Sequence, residues 1–199
     1  VFRGRIAGQR TLPLWIGLDF GLHAAAVIGQ MTPQGSLVIL DEIWNDDASL
    51  EDFLKLQVLP TLATRYRGYN VFVCADPAGR GRSAIDKRSS FDVLRQAGLA
   101  AMPSPTNDPV VRRDSLRAFM VRTNGFLVNP QCKRLIEGLS GGFGYKRRPD
   151  NTFMETAMKN LFSHVCEAAE YLAVFARLPA HNHTQARTVA APRQEYFYG

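Results

Sequence analysis

The sequence predicts an α/β layer fold, a mixed sheet flanked by helices, and three observations carry that expectation. Apolar, strand-like segments at about 14–20, 24–32 and 36–44 are separated by connections short enough for an antiparallel meander. A fourth segment, Val71-Phe72-Val73-Cys74-Ala75, is apolar throughout, as a central strand covered on both faces requires. Beyond it, helical and strand-like segments alternate, which calls for parallel strands joined through helices. With 199 residues and 46% apolar content the chain can bury one sizeable core.

In chain order, residues 1–13 carry Arg3, Arg5 and Arg10 without periodicity and read as a linker. Thr32-Pro33-Gln34-Gly35 joins the second and third strands, with Pro and Gly where a type I turn prefers them. Ser49, with Asp52 three residues on, has capping-box spacing. The helix it opens has an apolar face of Leu50, Phe53, Leu54, Val58, Leu62 and Tyr66, and Pro60 should kink or split it. After the strand that ends at Asp76, a Gly- and Arg-rich loop leads to a short helix over about 90–97 and a weakly marked strand near 99–103. Asp108-Pro109 supplies a cap and a first-turn proline for a helix reaching about Arg122.

Residues 125–128 read as a short strand, 130–138 as a short helix and the Gly-rich stretch 140–148 as a loop or a hairpin. The last helix covers about 163–178 on a stripe of Val165, Ala168, Leu172 and Phe175. From Pro179 the composition turns polar and aperiodic, so 14–178 reads as the folded domain and 179–199 as a flexible tail.

A formal net charge of +6 is compatible with a polyanionic partner, nucleic acid first among them. Cys74, Cys132 and Cys166 are scattered and form no CxxC pair. That argues against a zinc ribbon or a disulfide framework and fits a reducing compartment. No apolar stretch approaches the ~20 residues of a membrane span, and no signal peptide is visible. The chain opens on Val1 rather than Met, as a piece of a longer protein would. A soluble cytoplasmic protein is the expectation.

The chemistry concentrates in three places. Asp19 and Asp76 each end an apolar strand, and an unpartnered carboxylate costs several kcal/mol there, so two of them point to a shared cation. Phosphodiester hydrolysis with Mg²⁺ or Mn²⁺ needs such hard oxygen ligands converging from separate elements. His164 and Glu167, spaced i, i+3, share one helix face and could supply the rest of the set, with Tyr171 a turn further on, where packing is its expected role. Each residue also has a plainer reading. Asp19 before Gly21 and Asp76 before Pro77 fit turns, His164 fits a boundary histidine, and Glu167 fits a first-turn acid. Asp41 and Glu42 lie in the third strand, and Glu42 is kept as a substitute ligand; Asp86, Asp92, Asp108 and Asp114 read as caps or surface.

Basic residues form three groups. Arg80, Arg82, Lys87 and Arg88 follow the Asp76 strand, where they could hold a phosphate backbone, and Lys146, Arg147 and Arg148 follow Phe143 and Tyr145 as a DNA-tracking hairpin would. Arg112, Arg113, Arg117 and Arg122 read as a solvated helix face. Such contacts would be sequence-neutral and salt-dependent.

Trp15-Ile16-Gly17-Leu18-Asp19-Phe20-Gly21, Cys74-Ala75-Asp76-Pro77-Ala78-Gly79 and Ser163-His164-Val165-Cys166-Glu167-Ala168-Ala169-Glu170-Tyr171-Leu172 occur in that order. Together they resemble the C-terminal nuclease domain of the large terminase subunit of tailed bacteriophages, over about residues 14–178. The resemblance implies a ribonuclease-H-like fold and a metal-dependent endonuclease that cuts concatemeric viral double-stranded DNA during packaging. It implies two Mg²⁺ or Mn²⁺ ions on Asp19, Asp76 and Glu167, with His164 as an auxiliary catalytic group. It also implies a portal ring and a small terminase subunit as partners, and the cytoplasm of an infected bacterium as the location. Glu167 stands where the family usually has Asp. No G-x-x-x-x-G-K-[ST] loop occurs, so by this reading the packaging ATPase half is not in the chain. Rival readings are a non-cleaving DNA-binding module of a packaging motor and a Holliday-junction-resolvase-like nuclease. The Ile16–Gly21 run also resembles the first phosphate motif of actin-like and sugar-kinase ATPases, which need a second such domain and a longer chain.

Overall fold

A computed structural model describes residues 5–20, 23–81 and 87–178, apart from the side chains at 146, 147, 153, 155 and 156. The expectations placed on Gly21, Arg82, Asp86, the side chains of Lys146 and Arg147, and the tail 179–199 lie outside the described residues.

The strands are β1 (Leu14–Asp19), β2 (Ala25–Met31), β3 (Leu37–Trp44), β4 (Val71–Ala75), β5 (Ala101–Pro103) and β6 (Phe126–Val128). They form one sheet in the order β5-β4-β1-β2-β3-β6. The β1–β2–β3 meander is antiparallel, while β4 on β1, β5 on β4 and β6 on β3 are parallel. The short 125–128 segment thus closes one edge. The 140–148 stretch divides: its start lies in a wide helical turn over Gly138–Gly142, and only its end enters a separate hairpin, β7 (Tyr145–Arg147) with β8 (Phe153–Ala157).

Side chains alternate across a strand, and here the two sets bury on opposite faces. Leu14, Ile16 and Leu18 of β1 join Phe53, Leu54, Val58, Leu62 and Leu94 in one core. Those partners come from α1 (Leu50–Phe53), α2 (Leu59–Arg65) and α3 (Ser90–Gln96), with the turn between α1 and α2. Trp15 on the other face joins Leu116, Phe119, Val165, Ala168, Leu172 and Phe175. Those belong to α4 (Pro109–Met120) and α6 (Ser163–Ala176), with α5 (Lys133–Glu137) beside them.

Local signals set the helix ends. Ser49 accepts the Asp52 N–H, Ser89 and Asp92 make a reciprocal capping box, and Asp108 accepts from Val110 and Val111. The first long helix does not break: helical backbone runs from Leu50 to Arg65, and the turn ahead of Pro60 widens to a π turn over Leu54–Val58, which accommodates the proline's missing N–H.

The segment ahead of β1 lacks regular structure from Arg5 to Gln9 yet is tied to the domain. Asn129 exchanges hydrogen bonds with the Ile6 backbone, and Gln30 binds the Gln9 backbone and the Leu12 carbonyl. Among the described residues no helix is long and apolar enough to cross a membrane. All three cysteines are free and buried.

Candidate metal centre

Gly17 explains how the site is assembled. A Cβ there would lie 2.0 Å from the Ala168 carbonyl oxygen and 2.8 Å from Leu172 Cβ, so α6 runs directly over β1. That approach carries the first turns of α6 across the C-terminal end of β1. Asp19, two residues beyond Gly17, points to the same face. Asp19 Oδ2 lies 2.6 Å from His164 Nδ1. Ligand atoms of Asp19, His164 and Glu167 all fall within 4.8 Å of one another, the arrangement a single cation needs.

Asp76 enters from β4. The parallel register pairs Leu18 with Ala75, and the Asp76 N–H donates to the Leu18 carbonyl at 3.0 Å, so the ladder carries Asp76 to the same sheet end as Asp19. Gly79 follows because Phe20 covers it; a Cβ would meet the ring at 2.3 Å. Asp76 lines the same cavity but stands outside the three-residue cluster, with Oδ1 accepting the Ala78 N–H at 2.8 Å. Asp76 thus forms the turn that the sequence suggested, and its side chain also borders the cavity.

The cavity measures about 290 Å³ and is lined by Asp19, Asp76, Glu167 and Glu170, with Arg112 and Lys159 as its cations. Burial pushes the Asp19 carboxyl up to about 6, against the hydrogen bond from His164, which pulls it down. Glu170 is pushed up to about 8, again by burial, with Arg112 opposing and Glu167 reinforcing. Carboxyls crowded in this way hold a proton more tightly than isolated ones, and a divalent cation would relieve them.

Arg112 is the principal correction to the sequence reading. It does not lie on a solvated face; it is buried, with ion-pair distances of 3.7 Å to Glu170 and 3.9 Å to Glu167, and it stacks on Tyr171 at 4.6 Å. Its Nε is buried and makes no hydrogen bond. Tyr171 packs as expected, and its hydroxyl donates to Asn107 Oδ1 at 2.6 Å. Arg122 donates to the Gly35 and Gln34 carbonyls, while Arg113 pairs with Asp114.

Glu42 is the second correction. Its two oxygens accept the Arg134 and Leu135 N–H groups at 2.9 and 2.8 Å, so it caps α5 and lies outside the acid cavity.

Three contributors escaped the sequence reading. Glu170 had a signal, since 164, 167 and 170 repeat at i+3 along α6. Arg112 had one too, sharing a helix face with Ser115, Leu116 and Phe119, all buried. Lys159, whose Nζ binds both Glu167 oxygens at 2.7 and 2.6 Å, sits in an irregular segment with no pattern to mark it.

The basic groups are only partly placed. Arg80 and Arg95 line a separate cavity with Phe91 and Leu99, and Lys87 is exposed. Arg88 is engaged with Gln96 and Glu51. Arg148 is exposed in the hairpin turn.

No sequence-family model matches the chain, and no curated protein sequence matches it. Its fold does match nuclease domains of phage large terminases. The manganese-bound nuclease domain of the large terminase from bacteriophage SPP1 is 15% identical, with 80% of this chain and 84% of that one covered and a TM-score of 0.54. The magnesium-bound large terminase nuclease from thermophilic phage G20c is 18% identical over 88% of each chain, with a TM-score of 0.56. The large terminase from a further thermophilic bacteriophage reaches a TM-score of 0.59 at 14% identity; it covers 81% of this chain, which spans 39% of that protein. The ribonuclease-H-like mixed sheet expected from the sequence is therefore the fold adopted.

Proposed function

We propose that this domain is a metal-dependent endonuclease that cuts double-stranded DNA with little sequence preference, as part of a phage packaging machine. One observation carries the reading: Asp19, His164 and Glu167 converge within 4.8 Å at a sheet end that Asp76 also reaches. The fold likeness to terminase nuclease domains, some solved with manganese or magnesium, supports it.

The donors fit a hard cation, since carboxylate oxygens dominate and the crowded acids of the cavity lack enough fixed positive charge. Asp19, Glu167 and Asp76 would hold two Mg²⁺ or Mn²⁺ ions, with His164 bearing on Asp19. When bound, such ions polarise a phosphate and make a water molecule easier to deprotonate. Asp19, nearly buried and hydrogen-bonded by His164, keeps one oxygen orientation fixed for that role. His164, only partly exposed, is placed to take or return a proton at Nε2 while Nδ1 faces Asp19. Arg112, pinned between Glu170 and Tyr171, holds the wall behind Glu167. Glu167 reaches one methylene further than an Asp, and the buried Arg112 lies behind it at 3.9 Å.

Double-stranded DNA is the proposed substrate, and Arg80, Arg82, Lys87, Arg88, Lys146, Arg147 and Arg148 its backbone contacts. The portal and the small terminase subunit would be the protein partners, in the cytoplasm of the infected host. Plasmid cleavage in EDTA, Mg²⁺ and Mn²⁺, with Asp76→Ala alongside, tests the reading. Cutting that needs metal and vanishes in the variant is the expected result. No cutting in any metal with DNA binding retained would replace it with a non-cleaving DNA-binding module, and preference for four-way junctions would make it a resolvase.

A further inference from the structure

The acid cavity already contains a cation of its own. Lys159 Nζ lies 2.7 and 2.6 Å from the two Glu167 oxygens, so both are taken by one ammonium group. Glu167 is buried, its side chain 9% exposed, whereas the Lys159 side chain is 66% exposed. The partner of a buried carboxylate is thus a group whose own side chain already stands largely in water. Arg112, at 3.9 Å from Glu167, is the opposite case: its side chain is 8% exposed and it is stacked on Tyr171.

Lys159 also has somewhere to go. It lines a second groove with His23, Trp44, Asn45, Asp46, Arg134 and Leu161, next to the acid cavity, and His164 borders both. Lys159 lies in the short segment between β8 and α6, so its side chain borders the acid cavity and the groove alike.

From this geometry we infer that Lys159 is a displaceable counter-cation: a divalent ion binds at Asp19 and Glu167, beside His164, only by driving the ammonium off Glu167. Resting on the metal reading of the site, this goes beyond it by naming the group that sets metal affinity. Two effects act in the same direction. Removing the ammonium frees both Glu167 oxygens, and it makes the cavity more negative at short range. Lys159 therefore weakens metal binding while stabilising the metal-free domain.

The test is calorimetric titration of Mn²⁺ into the metal-free domain and its Lys159→Met and Lys159→Arg variants, without DNA. Loss of one charged hydrogen-bonding partner predicts about tenfold tighter Mn²⁺ binding by Lys159→Met. Lys159→Arg, which keeps the charge, should stay within about threefold of the parent. Because the side chain is exposed, both variants should fold, with circular dichroism matching the parent. Binding by Lys159→Met that is equal to or weaker than the parent's overturns this inference and leaves the metal site intact. Binding by none of the three proteins overturns the inference and the metal site together. Binding by Lys159→Met alone would support the inference strongly.

Discussion

Asp19 and Asp41 are both buried strand carboxylates, on β1 and β3, yet they face opposite sides of the sheet and have opposite surroundings. Asp41 has partners on both oxygens: Arg65 at 2.6 Å and the Tyr66 hydroxyl at 3.4 Å on one, the Glu42 N–H at 3.2 Å on the other. Asp19 meets one imidazole and then more acid, with Glu167 in reach and Glu170 beside that. Burial alone does not mark a functional carboxylate. A shortfall of fixed positive charge around it does, because the deficit is what a bound cation fills.

The widest separation should come from matched substitutions. Asp19→Asn should lower metal-dependent cleavage about a thousandfold or more and abolish Mn²⁺ binding, whereas Asp41→Asn should leave both near the parent level. Stability should move the other way. The Asp19 carboxyl is raised from 3.8 to about 6, so its ionised form destabilises the metal-free fold at neutral pH. Asparagine removes that charge, and Asp19→Asn should be more stable than the parent at pH 7 by about 1–3 kcal/mol. The gain should fade as pH falls from about 6 to below 3.8, where the parent carboxyl is protonated in folded and unfolded chains alike. Asp41→Asn should instead lose about 1–2 kcal/mol at neutral pH, its ion pair gone. Urea denaturation at several pH values reads both, and stability changes of the same sign would undo the contrast.

Gly17→Ala breaks the Asp19 side of the comparison by a different route. The added methyl collides with the Ala168 carbonyl, and backbone on both sides must yield. A loss of about 3 kcal/mol is expected, with Mn²⁺ binding weakened because α6 carries His164 and Glu167. An unchanged melting temperature would mean that α6 does not pack as closely as described.

Metal addition probes the same asymmetry. At a hundred times its dissociation constant Mn²⁺ contributes about 2.7 kcal/mol. For a domain of this size that is a rise in melting temperature of about 5–10 °C. The rise should persist in Asp41→Asn and disappear in Asp19→Asn. A rise in both would place the ion away from Asp19.

Much of this was legible in the chain, for identifiable reasons. The meander, the buried β4 and the long last helix follow from periodicity, and the aspartates stand out because a carboxylate at the end of an apolar strand is costly. Asp108 and Ser49 announce their helices through local capping, which needs no tertiary knowledge. What stayed hidden depended on distant contacts. Arg112 looks like a surface residue until α6 is laid against α4, and only then does its position among Ser115, Leu116 and Phe119 become a burial signal. β8 was missed because a short two-stranded hairpin apart from the main sheet carries little apolar patterning. Lys159 belongs to an irregular segment, and no sequence rule brings it to Glu167.

Glu42 supplies the finest distinction, and the smallest effect. Sequence alone makes it a spare metal ligand, whereas its two oxygens in fact serve the first turn of α5 from a different element. Cys132 at that helix start provides no side-chain cap, so the first-turn N–H groups of Arg134 and Leu135 are met by Glu42 instead. Glu42→Gln keeps the shape but turns an NH₂ toward one of those donors, which should cost about 1 kcal/mol. Mn²⁺ affinity and cleavage should not change. A weakened metal isotherm in that variant would return Glu42 to the ligand set and erase the division between acids that hold the fold and acids that await a cation.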